Sequence, residues 1–377
     1  MIKLSKIILM AVVLIITANA ASLAQVVAGR PASASTRIVY YHWSLDDKNN
    51  GSTGFSQLYF PIKGFVPVRE NLEVLFFAAG SVNDLKTDYQ ATGLTGASDI
   101  RFQINQSLSD DRIIISMGLN LPTGKTDLTF DTDTTVLAIL SRNYLNFPMR
   151  RFGQGLGGNI LIGGATMLGS LRGGLGLLFE FTGKYEPYRG LGKYNPGNFV
   201  SITAGLDRKQ EKGILFGDIT LTFYTPDRYE GSKTFKQSSQ AFFRVGSRYQ
   251  TGRYQGDFRL GYLWRGRNTQ YDVNESVTSQ FQLFGNEFTA QLDLSRYFGN
   301  GWAISPAWEI KIISANEGEG PNQLRSSHYV GLGGSLTKAI KNGPVLSAGS
   351  KYFVGSANSG SITINGVNIF TSATVTF

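Results

Sequence analysis

Few side chains in this chain are equipped for chemistry. There are two histidines, His42 and His328, and no cysteine, so a zinc centre built from His and Cys has almost no ligands to draw on. Ser326-Ser327-His328 invites a hydrolase reading, but neighbours on one strand point to opposite faces, and a nucleophile and base must converge from several elements. A rim histidine is the better reading. Asp127, Asp131 and Asp133 have a spacing that could hold calcium, although solvated loop carboxylates account for it as well. Gly153-Gln154-Gly155-Leu156-Gly157-Gly158 satisfies G-x-G-x-x-G, yet no apolar strand precedes it and it opens into a strand, where glycines serve tight bends. Gly124-Lys125-Thr126 resembles the end of a phosphate loop, but Gly118 lies one residue too far upstream. The expectation is no catalysis, no cofactor and no metal.

The remaining charged set becomes meaningful only through the elements that carry it. From Gly285 to Ile313, Phe288, Ala290, Leu292 and Leu294 alternate with Thr289, Gln291, Asp293 and Ser295. After Phe298-Gly299-Asn300-Gly301, Trp302, Ile304, Pro306, Trp308, Ile310 and Ile312 alternate with Ala303, Ser305, Ala307, Glu309, Lys311 and Ile313. A period of two is a strand with unlike faces, and Asn-Gly is a hairpin turn. The preceding pair repeats the design. Phe243, Val245, Tyr249, Phe258, Leu260, Tyr262 and Trp264 share the apolar face, and Arg244, Arg248, Asp257, Arg259 and Arg265 the polar one. Arg244, Arg248, Asp257, Arg259, Arg265, Asp293, Glu309 and Lys311 are therefore candidates to face a lumen, as wall-stiffening ladders or as a basic strip favouring anions.

The N-terminus carries Lys3 and Lys6, an apolar run from Ile7 to Ile16 and Ala18-Asn19-Ala20, the three parts of a secretory signal peptide. Residues 1–20 are read as that signal, with cleavage after Ala20 or Ala24. The run falls short of the roughly 20 residues of a membrane-crossing helix. A mean hydropathy of −0.09 suits barrel strands, which are intermediate by construction. The 45 Gly, the 17 Tyr with 25 Phe and the absence of Cys fit the same class. The net charge of +9, which falls by two when Lys3 and Lys6 leave, could favour anionic solutes or lipopolysaccharide phosphates, while export excludes nucleic acid as a partner.

Alternation along the chain predicts an all-β fold, a transmembrane antiparallel barrel of about 16 strands. They fall near 37–45, 55–68, 72–84, 98–108, 112–122, 156–168, 171–184, 197–208, 213–225, 239–250, 253–267, 286–297, 301–314, 326–339, 343–356 and 365–377. Short and long connections alternate, as periplasmic turns and external loops do. Residues 21–36 are expected to form a flexible N-terminal segment ahead of a barrel over 37–377. Pro61 and Pro67 make 37–68 the weakest stretch, and fourteen strands with an N-terminal plug is the competing arrangement. Within the long connection 123–154, Thr134 to Tyr144 has the apolar spacing of a short helix over or in the mouth. A two-sheet sandwich is disfavoured by strand length and by aromatics near strand ends.

One stretch goes further: Gly93-Leu94-Thr95-Gly96-Ala97-Ser98-Asp99-Ile100-Arg101, then Gly118-Leu119-Asn120-Leu121-Pro122-Thr123-Gly124. It resembles the outer-membrane proteins associated with phenol meta-pathway degradation, relatives of the long-chain fatty acid transporter, although Ala97-Ser98-Asp99 replaces the usual Gly-Asp. The resemblance implies a barrel in the outer membrane of a Gram-negative bacterium that admits small hydrophobic or aromatic solutes, without cofactor or catalysis. Leu121, Pro122, Thr123 and Gly124 would end an ascending strand at the outer rim. In the last strand Val367, Ile369, Ala373, Val375 and Phe377 share one face, and Ala373, Val375 and Phe377 resemble the C-terminal signal read by barrel-assembly machinery. A diffusion porin, general or anion-preferring, or a structural barrel are the alternatives.

Overall fold

The computed structural model describes residues 31–48, 51–109, 112–318 and 325–377; the expected signal segment 1–20 lies outside them. The wall begins with β1 (Ser33–Asp47), β2 (Gly51–Arg69), β3 (Leu72–Thr87), β4 (Ala91–Ala97), β5 (Ile100–Leu108), β6 (Ile113–Leu121), β7 (Gly157–Leu168) and β8 (Leu171–Thr182). After β9 (Tyr194–Asn195) come β10 (Phe199–Gln210), β11 (Gly213–Tyr224), β12 (Asp227–Tyr229), β13 (Ser232–Lys236), β14 (Gln240–Thr251) and β15 (Tyr254–Arg265). The chain ends with β16 (Asn268–Tyr271), β17 (Val277–Phe281), β18 (Glu287–Tyr297), β19 (Trp302–Ile313), β20 (Ser327–Ala339), β21 (Val345–Ala357) and β22 (Ile362–Thr376). Strands β4 and β5 both pair with β3 and form one wall position with a break at Ser98-Asp99. The wall is thus a closed antiparallel barrel of sixteen strands. Closure runs from Ser33↔Thr376 to Asp47↔Ile362, between β1 and β22. The short strands β9, β12, β13, β16 and β17 form a second antiparallel sheet on the long loops.

Alternation sets the two faces. Leu332, Tyr352, Val354, Phe243, Val245 and Leu175 stand exposed on the outside, while their strand neighbours Phe353, Tyr329 and Ala357 are buried inside. A closed sheet leaves no unpaired edge in hydrocarbon, which is what permits strands to span a bilayer. At the end with the short turns, exposed Tyr249, Tyr254, Tyr297, Phe298 and Trp302 form an aromatic girdle. The cations there reach over its rings: Arg296 lies 5.1 Å from the Phe298 centroid and Lys338 4.9 Å from that of Trp302. The turn at Asn300-Gly301 uses φ of 60° and 75°, the left-handed backbone that Asn and Gly tolerate in a tight hairpin.

Three readings are corrected. Residues 33–36 are wall rather than flexible leader, because Ser33 to Thr36 find partners in both β2 and β22. The prolines do not mark a plug. Opposite Phe60-Pro61 the β1–β2 ladder is interrupted and Thr36 Oγ1 donates to the Pro61 carbonyl (3.1 Å), and Pro67 sits beside a register shift against β3. The helix, α1, spans Phe130–Leu140 rather than starting at Thr134, because the Asp133 carboxylate accepts from the Thr129 N–H (2.9 Å) and Asp131 joins it in the first turn.

Leu332 lies mid-strand on the outer face, so Leu332→Arg will lower the urea-unfolding free energy of the vesicle-reconstituted barrel by about 2–4 kcal/mol. Ser335→Arg, on the inner face of the same strand, will cost far less. Equal losses would mean that the faces are misassigned.

Candidate functional site

The connection between β6 and β7, residues 122–156, folds into the barrel and does not stand above it. Its apolar residues Val136, Leu140, Leu145, Phe147 and Met149 are buried with inward wall residues Trp43, Phe55, Leu85, Leu94, Tyr329 and Phe353. Phe147 packs against Phe55 with ring centroids 4.7 Å apart and planes tilted by 57°. At about 1.5–3 kcal/mol for each large apolar side chain, this cluster is the main force seating the loop.

Polar anchors then fix its course across the lumen. On one wall Gln57 of β2 donates through Nε2 to the Met149 carbonyl (2.7 Å) and accepts from the Met149 N–H (3.3 Å), and Asn83 of β3 orients it by accepting from the same Nε2 (2.7 Å). On the other wall Lys311 Nζ donates to the Asn143 carbonyl (2.8 Å), and the Asn143 amide donates to Glu287 (3.1 Å). Glu287 is itself paired with Lys311 (3.0 Å) and Arg265 (2.6 Å). These three charges are largely buried, and removing one member of such a set leaves an uncompensated charge at a cost of about 3–5 kcal/mol.

Both necks of the loop meet at Asp99. Its carboxylate accepts from the Gly124 N–H (2.8 Å) and from the Gln154 N–H (2.6 Å). Thr123 Oγ1 accepts from the Ile100 N–H (3.0 Å), the Lys125 N–H reaches the Ala97 carbonyl (3.1 Å) and the Gly153 N–H the Lys125 carbonyl (2.9 Å). The two necks touch at Gly124 and Gly153, where a Cβ on Gly124 would lie 2.6 Å from the Gly153 Cα. Only glycine permits that approach. Leu121 ends β6, and Pro122 to Gly124 leave the wall by turning inward.

The other charged candidates lie on the inner wall as a ladder. Asp218 pairs with Arg244 (2.9 Å), Asp257 with Arg248 (3.2 Å) and Arg259 (2.6 Å), and Arg259 lies 3.9 Å from Asp293. Arg172 with Asp207 (2.7 Å) extends it onto β8 and β10. A cavity of about 670 Å³ runs beside this ladder. Glu309 pairs with Lys351 (2.6 Å) beside a smaller space of about 260 Å³, which also meets Asn146 of the loop. The ladder pairs, whose cations are a third or more exposed, contribute roughly 0–1 kcal/mol each, so they shape the field of the lumen more than they hold the wall. The three aspartates Asp127, Asp131 and Asp133 do not converge: Asp127 pairs with Arg189 (3.0 Å) and Asp133 serves the helix.

Above the crossing lies a vestibule of about 810 Å³. Its walls are aromatic: Phe130 and Phe152 from the loop, Tyr185 and Tyr188 after β8, Tyr194 and Tyr229 from the second sheet, and Phe199 and Tyr224 at the barrel rim. Burial, reinforced by its hydrogen bond to Asp227, pushes the Tyr194 phenol up, and burial does the same for Tyr185, so both stay neutral. Sequence reading missed Asp99, Gln57, Asn143 and Glu287 as loop anchors, and Asn83 as the residue that orients Gln57. The inward polar positions 57 and 83 carry a parity signal, but the vestibule tyrosines come from separate loops and carry none.

The closed barrel with its apolar outer belt has the build with which strands cross a lipid bilayer. No protein-family model matches it, and no curated protein matches it by sequence. Among solved structures it is similar to the outer membrane protein OprD from Pseudomonas aeruginosa, with 9% identity over 92% of this chain and 94% of that one and a TM-score of 0.46. A Pseudomonas aeruginosa FadL homologue gives 9% identity, 92% and 90% coverage and 0.46. The CymD monoaromatic hydrocarbon channel gives 11%, 92% and 89%, and 0.35. These figures describe barrels of comparable build and carry no statement about cargo. The resemblance drawn from Gly93–Arg101 and Gly118–Gly124 stands on those residues alone.

A charge-assisted hydrogen bond contributes about 1.5–3 kcal/mol, so Asp99→Ala will speed amide exchange at Gly124 and Gln154 by about 10- to 100-fold, with Asp99→Asn between it and the parent. The barrel amides will not follow. Unchanged protection at both neck amides in Asp99→Ala would show that Asp99 is not the clasp.

Proposed function

We propose that this chain is a passive uptake channel for small, mainly apolar or aromatic molecules, in which the barrel supplies the passage and the loop 123–154 narrows it. The observation that carries the reading is the aromatic vestibule lying directly on the inward loop. Concave, mostly apolar surfaces with a few polar groups bind small organic molecules, and stacking on Tyr and Phe favours planar ones. The family resemblance at Gly93–Arg101 and Gly118–Gly124 supports the same class of solute. Nothing in this reading requires catalysis or a cofactor. Export with cleavage after Ala20 or Ala24, insertion by barrel-assembly machinery through Ala373, Val375 and Phe377, and contact with lipopolysaccharide belong to it.

A diffusion porin preferring anions is the second reading, favoured by the arginine set. Arg244, Arg248, Arg259, Arg265 and Lys311 face Asp218, Asp257, Asp293 and Glu287, five cations against four carboxylates. A surplus of one charge supports a weak preference at most.

In cells, removal of the gene product should reduce uptake of some members of a panel of phenols, alkylbenzenes and fatty acids and leave others untouched. Unchanged uptake across the whole panel would sink the channel reading. In planar bilayers the arginine reading expects anion selectivity that weakens in the Arg244, Arg248, Arg259 and Arg265 to Ala variants; selectivity indifferent to all four would remove it.

A further inference from the structure

The vestibule has an unusual electrostatic centre. Arg150 and Arg151 end the lumen-crossing segment and both line the cavity. Arg150 is tied down, donating from Nε to the Phe147 carbonyl (3.2 Å) and from a terminal nitrogen to Asn146 (3.3 Å). Arg151 is exposed to the cavity and, among the described residues, no carboxylate lies within ion-pair distance of it. The nearby acids are otherwise engaged or set apart. Asp227 accepts from the Tyr194 hydroxyl and from the Gly197 N–H (2.7 Å), and Lys125 lies 4.0 Å from Asp133. Glu180, on the wall of the same cavity, feels Arg101 as well as Arg151.

Resting on the channel reading, we infer that the vestibule selects aromatic anions, planar carboxylates above all, and that Arg151 receives the carboxylate while the surrounding rings receive the aryl group. A guanidinium offers two parallel N–H donors that match a carboxylate, and it stacks on aromatic planes. The rings around it are already arranged edge to face: Tyr185 and Tyr194 meet at 6.0 Å with 85° between planes, and Phe130 meets Tyr188 at 5.3 Å with 74°. A planar guest can extend such an arrangement by edge or offset-face contact, which a flexible aliphatic chain cannot. Glu180 gives the site a way to release its guest, because a carboxylate moving toward it loses the attraction of Arg151 to like-charge repulsion. Conduction needs binding of this weak, graded kind.

The test is reversal potential in planar bilayers holding the purified full-length barrel, with sodium benzoate or sodium hexanoate opposed to sodium chloride. The parent should pass benzoate in clear preference to hexanoate. Arg151→Ala should lower the benzoate-to-chloride permeability ratio by about tenfold, the worth of one charged hydrogen-bonding contact, and Arg151→Lys should recover part of it. Arg267→Ala, which breaks an outer-loop pair with Glu317 away from the vestibule, should leave the ratio unchanged. Equal permeability of hexanoate and benzoate in the parent overturns the aromatic part of the inference. A ratio that Arg151→Ala does not move overturns the role of Arg151. A bilayer silent in benzoate overturns the inference as a whole, while uptake of neutral aromatics measured in cells continues to decide the channel reading separately.

Discussion

In hydrocarbon there is no water to satisfy a backbone N–H or C=O, so each strand of a membrane sheet must pair on both sides. This chain meets the requirement by joining β1 to β22 along the whole of both strands. The rest of the architecture follows from that closure. The number of wall strands is even, so both ends of the wall, Ser33 and Thr376, lie with the short turns. Side chains divide strictly between lipid and interior, and the interior must be filled or hydrated. Where proline would break a ladder, the wall compensates locally. Beside Pro306 the β18–β19 register is interrupted, and Ser295 and Ser305 join through their hydroxyls (2.8 Å).

Closure also decides what the lumen can tolerate. An interior dielectric lower than that of water strengthens ion pairs but punishes lone charges, and the wall divides its charges accordingly. Where the loop covers them, Arg265, Glu287 and Lys311 form a compact set in which each cation meets the same carboxylate. Where the lumen is wet, Arg244, Arg248 and Arg259 lie half exposed over largely buried aspartates, and solvent screens the cations. The same residue types thus anchor in one place and set a field in another. Position relative to the loop, and not residue identity, separates the two roles.

Much of this was legible in the sequence because a barrel wall is written in a period of two. Phe288 to Ile312 announces both strands and their turn, and parity alone assigns Arg244, Arg259, Glu309 and Lys311 to the polar face. The strand edges were less legible: Ser33 to Thr36 lack large side chains, and their pairing is dictated by partners more than 25 residues away. β4 was hidden for a related reason, since Ala91 to Ala97 is small and Gly-rich and gains strand structure only from β3. The loop anchors were out of reach of periodicity. Asp99 joins amides 25 and 55 residues away, and Asn143 joins a lysine 168 residues away. Nothing local encodes such closures; they arise when apolar burial folds the loop inward and its polar groups must find partners.

The break at Ser98-Asp99 makes sense in these terms. A wall strand that ran straight through would pair β4–β5 with β6 on its whole length and leave the loop necks without partners. Instead, on this side β6 pairs with β5 and not with β4, its ladder stopping at Ile100↔Leu121, and the edge freed at Ala97 and Asp99 receives Lys125, Gly124 and Gln154. The wall gives up ladder bonds at one point and regains them from the loop, with a carboxylate adding two charge-assisted bonds. That exchange turns the necks toward the axis, where Val136, Leu145 and Phe147 can be buried. It also accounts for Gly124 and Gly153, since two necks that share one carboxylate must come within contact of each other. The stretch from Gly93 to Gly124 that carries the family resemblance is therefore the device that sends the loop into the barrel, and the floor of the vestibule, with Arg151 on it, is the consequence.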